Sequence, residues 1–280
     1  MKNKKRFRRS TVLFYLLTIV LALIFLLPTW WMIISSFKSE AKIFLDMESI
    51  QAFVPNTFSL KAYSELLGFY DIFKNIVNSM LYASIMVVLG LIVNSFAGYS
   101  LAMYKYPGKD IIFLFIIAMM IVPVEAIILP MYLVVNNLHM LNTIPGYILP
   151  FVANVMNIFL FRQTFITYPK ELVEASKIDG MTSFRFFFQV VIPTSTSIYI
   201  TVGVLTFLAS WNDFLWPVMA LTKQKMMPIQ VALNAIFSDR EHIFTNHTMA
   251  ALTLASIPVI VIFAFFQQYI VVGSVRSGIK

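Results

Sequence analysis

Residues 10–37 contain no Asp, Glu, Lys or Arg, and the centre of that run, 12–34, is nearly all apolar. About 20 apolar residues carry a helix across the hydrocarbon core, so this run is long enough to span. Similar runs follow at 77–103, 111–131, 144–161, 189–208 and 249–272. Together they predict an all-α fold, a polytopic membrane bundle of six transmembrane helices. Composition supports it: the 280 residues are 59% hydrophobic and 12% charged, whereas soluble domains carry ~25% charged residues. A packed core of this length has no room for so much apolar surface. An ordinary cytosolic enzyme and a disordered chain are excluded. With no cysteine, disulfides, zinc–thiolate sites and thiol nucleophiles are excluded too.

The opening MKNKKRFRRS resembles the start of a signal peptide. The apolar segment behind it is too long for that role and lacks a small-residue cleavage site, so it reads as an uncleaved first span. Basic residues then set the orientation. With the N-terminus inside, tail 1–10, loops 104–110 and 162–185, and tail 273–280 hold 14 of the 21 Lys and Arg. The outside loops 35–74, 132–143 and 212–248 hold seven, together with eight of the 13 acids. Both termini are therefore expected in the cytoplasm. The net charge of +8 is a topological signal, and no nucleic-acid partner is expected.

Catalytic patterns are missing. The one Gly-Lys pair, Gly108-Lys109, has Met103 where a phosphate-binding loop needs its first glycine. His139, His242 and His247 form no metal-ligand spacing. Catalytic residues and metal ligands are expected to be none. Ionisable residues inside the spans, which proton- or ion-coupled carriers use, are nearly absent. The energy source then lies on another chain, or the protein is a passive pore.

The inside loop 162–193, RQTFITYPKELVEASKIDGMTSFRFFFQVVIP, is the most informative segment. Pro169 suits a first helical turn, and Glu171 complements the positive helix end. Leu172, Ala175 and Ile178 make one short apolar face, and Asp179-Gly180 ends the helix through a left-handed cap. A second helix from about Thr182 returns to the membrane at Pro193. One reading is an amphipathic interfacial loop, with Lys170/Glu174 and Glu174/Lys177 as weak surface pairs.

The spacing supplies another. Glu174-Ala175-Ser176, Asp179-Gly180, Phe184 and Ile192-Pro193 resemble the E-A-A-x-x-D-G…F…L-P signature of binding-protein-dependent ABC importers. Ser176, Met181 and Ile192 depart from it conservatively, and a second proline usual beyond the first is absent. Asn78-Ser79, Gly98-Tyr99-Ser100-Leu101-Ala102 and Tyr106-Pro107-Gly108-Lys109 are similar to segments of carbohydrate-type permeases. So are Pro123, Glu125 and Pro130, the run Trp211-Asn212-Asp213-Phe214-Leu215-Trp216-Pro217, and the ending from Phe265 onward. The whole chain resembles the shorter six-span permease subunit of maltose-type sugar importers, which implies the type I ABC importer permease fold. It also implies a coupling helix at 170–180, with Glu174, Ala175, Ser176, Asp179, Gly180, Phe184 and Pro193 as the ATPase-coupling residues.

Remaining residues keep two readings each. Glu125 lies 15 residues past Asp110, about 22 Å along a straight helix, in the outer part of the membrane. It either faces a translocation path or gate, or caps backbone freed by Pro123 or pairs across subunits. Trp211 and Trp216 are aromatic-belt residues or sugar-stacking faces. Asn212 and Asp213 cap a helix end or bond sugar hydroxyls, and Tyr99 and Tyr104 are similarly ambiguous. Lys223-Gln224-Lys225 is either the tip that meets a binding protein or part of a solvated loop.

The resemblance thus implies a non-catalytic permease in the plasma membrane of a bacterium or archaeon. Its implied partners are a second, non-identical permease, two cytoplasmic ATPase subunits and an extracytoplasmic solute-binding protein. ATP and Mg belong to the ATPases, and no cofactor is expected on this chain. The rival expectations are an ABC permease for a polyol or glycerol phosphate, and a secondary carrier or channel.

Overall fold

The computed structural model describes residues 9–239 and 241–277; the basic tail is thereby almost wholly outside the described residues, as are the last three positions. Among the described residues every regular element is a helix. In order these are α1 (Arg9–Ser36), α2 (Glu40–Asp46), α3 (Lys61–Phe69), α4 (Ile72–Met103), α5 (Lys109–Ala118), α6 (Val124–Asn137), α7 (Ile144–Val152) and α8 (Val155–Ile166). Then come α9 (Lys170–Ile178), α10 (Ser183–Phe186), α11 (Ile192–Thr194), α12 (Thr196–Trp211), α13 (Leu215–Ala220), α14 (Ile229–Ser238) and α15 (Thr245–Ser277).

Among the described residues three helices are long and apolar enough to cross a membrane unbroken: Thr11–Ser36, Ile72–Met103 and Thr245–Tyr269. The other apolar runs are broken. Lys109–Ile121 and Val124–Asn137 meet at 103°, Ile144–Val152 and Val155–Ile166 at 46°, and Ser183–Thr194 and Thr196–Trp211 at 80°. Continuous helices were expected for all three. Val122 is extended because the ring of Pro123 disfavours helical backbone before it. Ahead of the third bend, the helix widens to a π-helical turn over Phe187–Val191 next to Pro193, and Thr194 spends its hydroxyl on the carbonyl of Val190.

The chain divides into two compact units, one from Met1–Ile72 and Leu233–Ile257, the other from Phe73–Ala232 and Pro258–Lys280. In the first, charges counted as loop charges are internal. The buried Lys38 ammonium donates to Asp46 Oδ2 at 2.7 Å and to the Gln51 carbonyl at 2.6 Å, and Asn56 donates to the same carboxylate at 3.1 Å. The hydrogen bond from Lys38 holds the Asp46 carboxyl below its ordinary range. Its stabilising effect is therefore present at neutral pH and lost as pH falls through that lowered value. Glu40 accepts from Thr245 Oγ1 at 2.9 Å and from the Asn246 backbone, tying α2 to the start of α15. Glu65 contacts His247 at 3.0 Å, and Tyr70 donates to Asp239 at 2.9 Å. Lys38→Met is expected to lower the apparent Tm by several degrees, because it strands a carboxylate. Lys38→Met with Asp46→Leu should recover part of the loss, and equal melting of all three proteins would refute the pairing.

In the second unit the long α4 organises the core. One cluster, around Tyr82, Tyr147, Ile148 and Trp216, packs toward its N-terminal half. The other, around Tyr99, Phe161, Phe165 and Phe187, packs toward its C-terminal half. Asn75, Asn78 and Tyr82 donate to the carbonyls of Met227, Lys225 and Met226, and Ser79 accepts from Ile229 N. The backbone of the Lys223–Lys225 tip is thus pinned while its side chains remain exposed.

Candidate functional site

The 162–193 segment folds as two short helices around a tight turn. Pro169 sits one residue before α9, and Glu171 occupies its first turn. At the other end Gly180 has φ +70°, Gly180 N donates to Lys177 O at 3.1 Å, and Met181 N donates to Ser176 O at 2.9 Å. These are the two bonds of a Schellman ending, whose left-handed residue is most easily glycine. Thr182 then caps α10 by accepting from Arg185 N.

The pair is seated from one side only. Val173, Tyr168 and Met181 pack on the phenylalanine cluster, and Tyr99 reaches down from α4 to donate to the Ser183 carbonyl at 3.2 Å. Ser176 belongs to this seated side: it is buried and its hydroxyl bonds Val173 O. The opposite face of α9 is exposed: Ile178 is 86% exposed, with Leu172, Glu174, Ala175 and Asp179 exposed beside it. Phe184 is 64% exposed and rests its ring on Phe96 and Phe188. Pro193 is also exposed. A stub with apolar groups outward and acids around them is chemically suited to docking.

A cavity of about 540 Å³ lies elsewhere in the same unit, lined by residues from α4, α6, α7, α8, α12 and α13. Glu125 enters it from the first turn of α6, Asn154 and Asn157 from the α7–α8 break, Thr206 from α12, and Asp213 from just beyond α12. The 103° bend invalidates the straight-helix depth for Glu125. Among the described residues no hydrogen bond to its carboxylate is formed, so it does not cap the backbone freed by Pro123. Burial pushes the Asp213 carboxyl up to about 6, against the opposing pull of the nearby Trp216 and Phe214 backbone amides and of the Tyr147 hydroxyl, which donates to Oδ2 at 3.4 Å.

Both tryptophans depart from the belt reading. Trp211 is 2% exposed and stacks on Phe207 with ring centroids 5.6 Å apart. Trp216 is 1% exposed, walls the cavity, and donates Nε1–H to Tyr147 O at 3.1 Å. A belt residue faces the lipid headgroups; these two are core. Asn212 bonds Leu208 O at 2.9 Å, the capping role, outside the cavity lining. Tyr99 is a buried structural residue, and Tyr104, exposed just past the end of α4, meets its ring edge to face at 5.9 Å.

The polar seam beside the cavity went unread in the sequence. Asn94, fully buried on α4, donates to Gly90 O at 2.6 Å and Val152 O at 2.8 Å and accepts from Asn154 N at 2.8 Å. Asn157 donates to Thr206 Oγ1 at 3.0 Å. The available signal was amide side chains inside otherwise apolar runs, which only pay off when they bond across helices.

Residues 86–273 match the family described as "Binding-protein-dependent transport system inner membrane component". The arabinooligosaccharides transport system permease protein AraQ of Bacillus subtilis is 30% identical, with 98% of this chain and 96% of AraQ covered. The sn-glycerol-3-phosphate transport system permease protein UgpE of Yersinia enterocolitica is 35% identical over 71% of this chain and 72% of its own. Among solved structures, a chain of a bacterial ABC transporter involved in the import of the acidic polysaccharide alginate superposes with TM-score 0.81, at 21% identity over 96% of this chain and 99% of that one. With its helical fold and most of its length matched, the chain belongs to the family of inner-membrane components of binding-protein-dependent transport systems.

Proposed function

We propose that the chain is one of two non-identical permease subunits in an ATP-driven importer of a sugar or oligosaccharide. It forms a single transmembrane domain of six spans, three of them bent, with both termini in the cytoplasm. The 162–193 segment docks on a cytoplasmic ATPase, one of two that bind ATP and Mg, while the 212–248 loop meets a solute-loaded binding protein outside. Closure of the ATPases pushes α9, and the bend before α12 transmits that movement to the cavity, switching it between inward- and outward-facing states. The near full-length similarity to AraQ supports a saccharide over glycerol phosphate.

The observation carrying this reading is the exposed face of α9 and α10, terminated by the left-handed Gly180. A side chain at φ +70° is strained and would re-aim Asp179 and Met181. Gly180→Asp in the reconstituted complex is expected to cut ATP-dependent uptake at least tenfold and to release the ATPase during purification. The permease itself should still accumulate in the membrane, because a Cβ at Gly180 meets no atom within 4 Å. Uptake by this chain alone, without ATP, would overturn the proposal.

A further inference from the structure

The cavity's polar lining has one sign. Glu125 and Asp213 are both acidic, Asn154, Asn157 and Thr206 are neutral, and among the described residues no Lys, Arg or His lines it. The helix ends around it do not reverse that balance. Each end amounts to about half a charge, and both signs are present: the first turns of α6 and α8 are positive and the last turn of α12 is negative. The first turn of α6 would by itself favour an anion, but Glu125 occupies it. Asp213 stands just beyond the negative end of α12 and adds to it.

Apolar walls then amplify the effect. Met86, Phe151 and Trp216 line the same space, and charge interactions strengthen as local dielectric falls. An uncharged polyhydroxyl solute loses nothing there. Its hydroxyls donate to the two acidic side chains and exchange hydrogen bonds with the amides and Thr206. A phosphoryl or carboxylate group meets like charge with no cation to offset it.

We infer that Glu125 and Asp213 form a charge filter, making this cavity a passage for uncharged saccharides that turns away phosphorylated or uronic-acid-bearing ones. The inference rests on the saccharide-import reading above and specifies which solutes of that class pass.

The binding protein selects solute first, so the test must bypass it. The chain has no native cysteine, which makes Ala209→Cys, at the exposed cavity wall, a unique thiol within it. In the assembled complex with cysteine-free partners, its modification is timed with two methanethiosulfonates of similar size, the anionic ethylsulfonate and the cationic ethyltrimethylammonium. Relative to a small free thiol, the cation-to-anion rate ratio is expected to rise roughly tenfold or more. In Ala209→Cys carrying Glu125→Gln and Asp213→Asn, the ratio should fall back toward that of the free thiol. A ratio equal to the free thiol's, or one unchanged by the two neutral substitutions, overturns the filter. Saccharide uptake by the same complex is measured separately. An elevated ratio without any saccharide uptake supports the filter and overturns the saccharide reading.

Discussion

Asn94→Leu is expected to prevent stable folding, although it makes α4 more apolar. The amide side chain uses both donor hydrogens, on Gly90 O and Val152 O, and its oxygen takes Asn154 N. Two of these partners, Val152 O and Asn154 N, are backbone groups freed where α7 ends and α8 begins at a 46° bend. In lipid no water replaces a lost partner, and each stranded buried group costs roughly 1–3 kcal/mol. Two such groups cost about 2–6 kcal/mol, a large share of the ~5–15 kcal/mol that holds a typical domain together. Leucine nearly preserves volume, so packing offers little to set against that loss. Asn94→Asp keeps the acceptor and loses both donors, and should fall between wild type and leucine. Thermal unfolding in detergent and the folded fraction after extraction check the ranking. Wild-type melting of Asn94→Leu would mean the break is held by something else.

That residue also marks the limit of what could be read beforehand. Hydropathy located the three runs that form unbroken apolar helices, and three more that the structure bends, because lipid imposes a length on each run separately. The α9 ending was equally legible: Asp179-Gly180 is a local signal acting over a few residues, and Gly180 does adopt the left-handed backbone. The bends were not legible from proline alone. Pro28, Pro130, Pro150 and Pro258 all lie inside helices, whereas Pro123 ends one. In a membrane protein the freed carbonyl can be satisfied by a neighbour, so tertiary partners decide which prolines break. Asn94 is such a partner for the break at Asn154, 60 residues later in the chain. The cavity was hidden for the same reason: Glu125, Asn157 and Asp213 stand on three separate runs and converge only through tertiary packing. Trp211 and Trp216 stand near span ends, where a belt is the usual use, but packing against Phe207 and Tyr147 takes both indoles inside.

Gly98→Leu is expected to leave no assembled permease. At this residue α4 and α8 cross closely: a Cβ would lie 2.6 Å from Phe161 Cβ, 2.9 Å from Arg162 N and 3.2 Å from Ile158 O. Two of the three are backbone atoms of α8, so no rotamer change relieves the clash and the helices must separate. Close approach at small residues supplies much of helix association in lipid, where the hydrophobic effect gives no drive. Separation would lift Phe161 from its fully buried position and pull the Arg162 guanidinium from the Phe113 ring, 3.7 Å below it. The same phenylalanine cluster seats α9 and α10, so a displaced α8 would also loosen the docking segment. Alanine already overpacks the crossing, at a cost of roughly 1–3 kcal/mol. Gly98→Ala should therefore melt lower and lose part of its ATP-dependent uptake, while the bulk of leucine cannot be accommodated. Gly68→Ala is the matched control, since a Cβ there meets no atom within 4 Å, and it should melt at or slightly above wild type. Gly98→Leu that accumulates, melts as wild type and transports would show that the crossing is not close-packed, and the separation argument would fall with it.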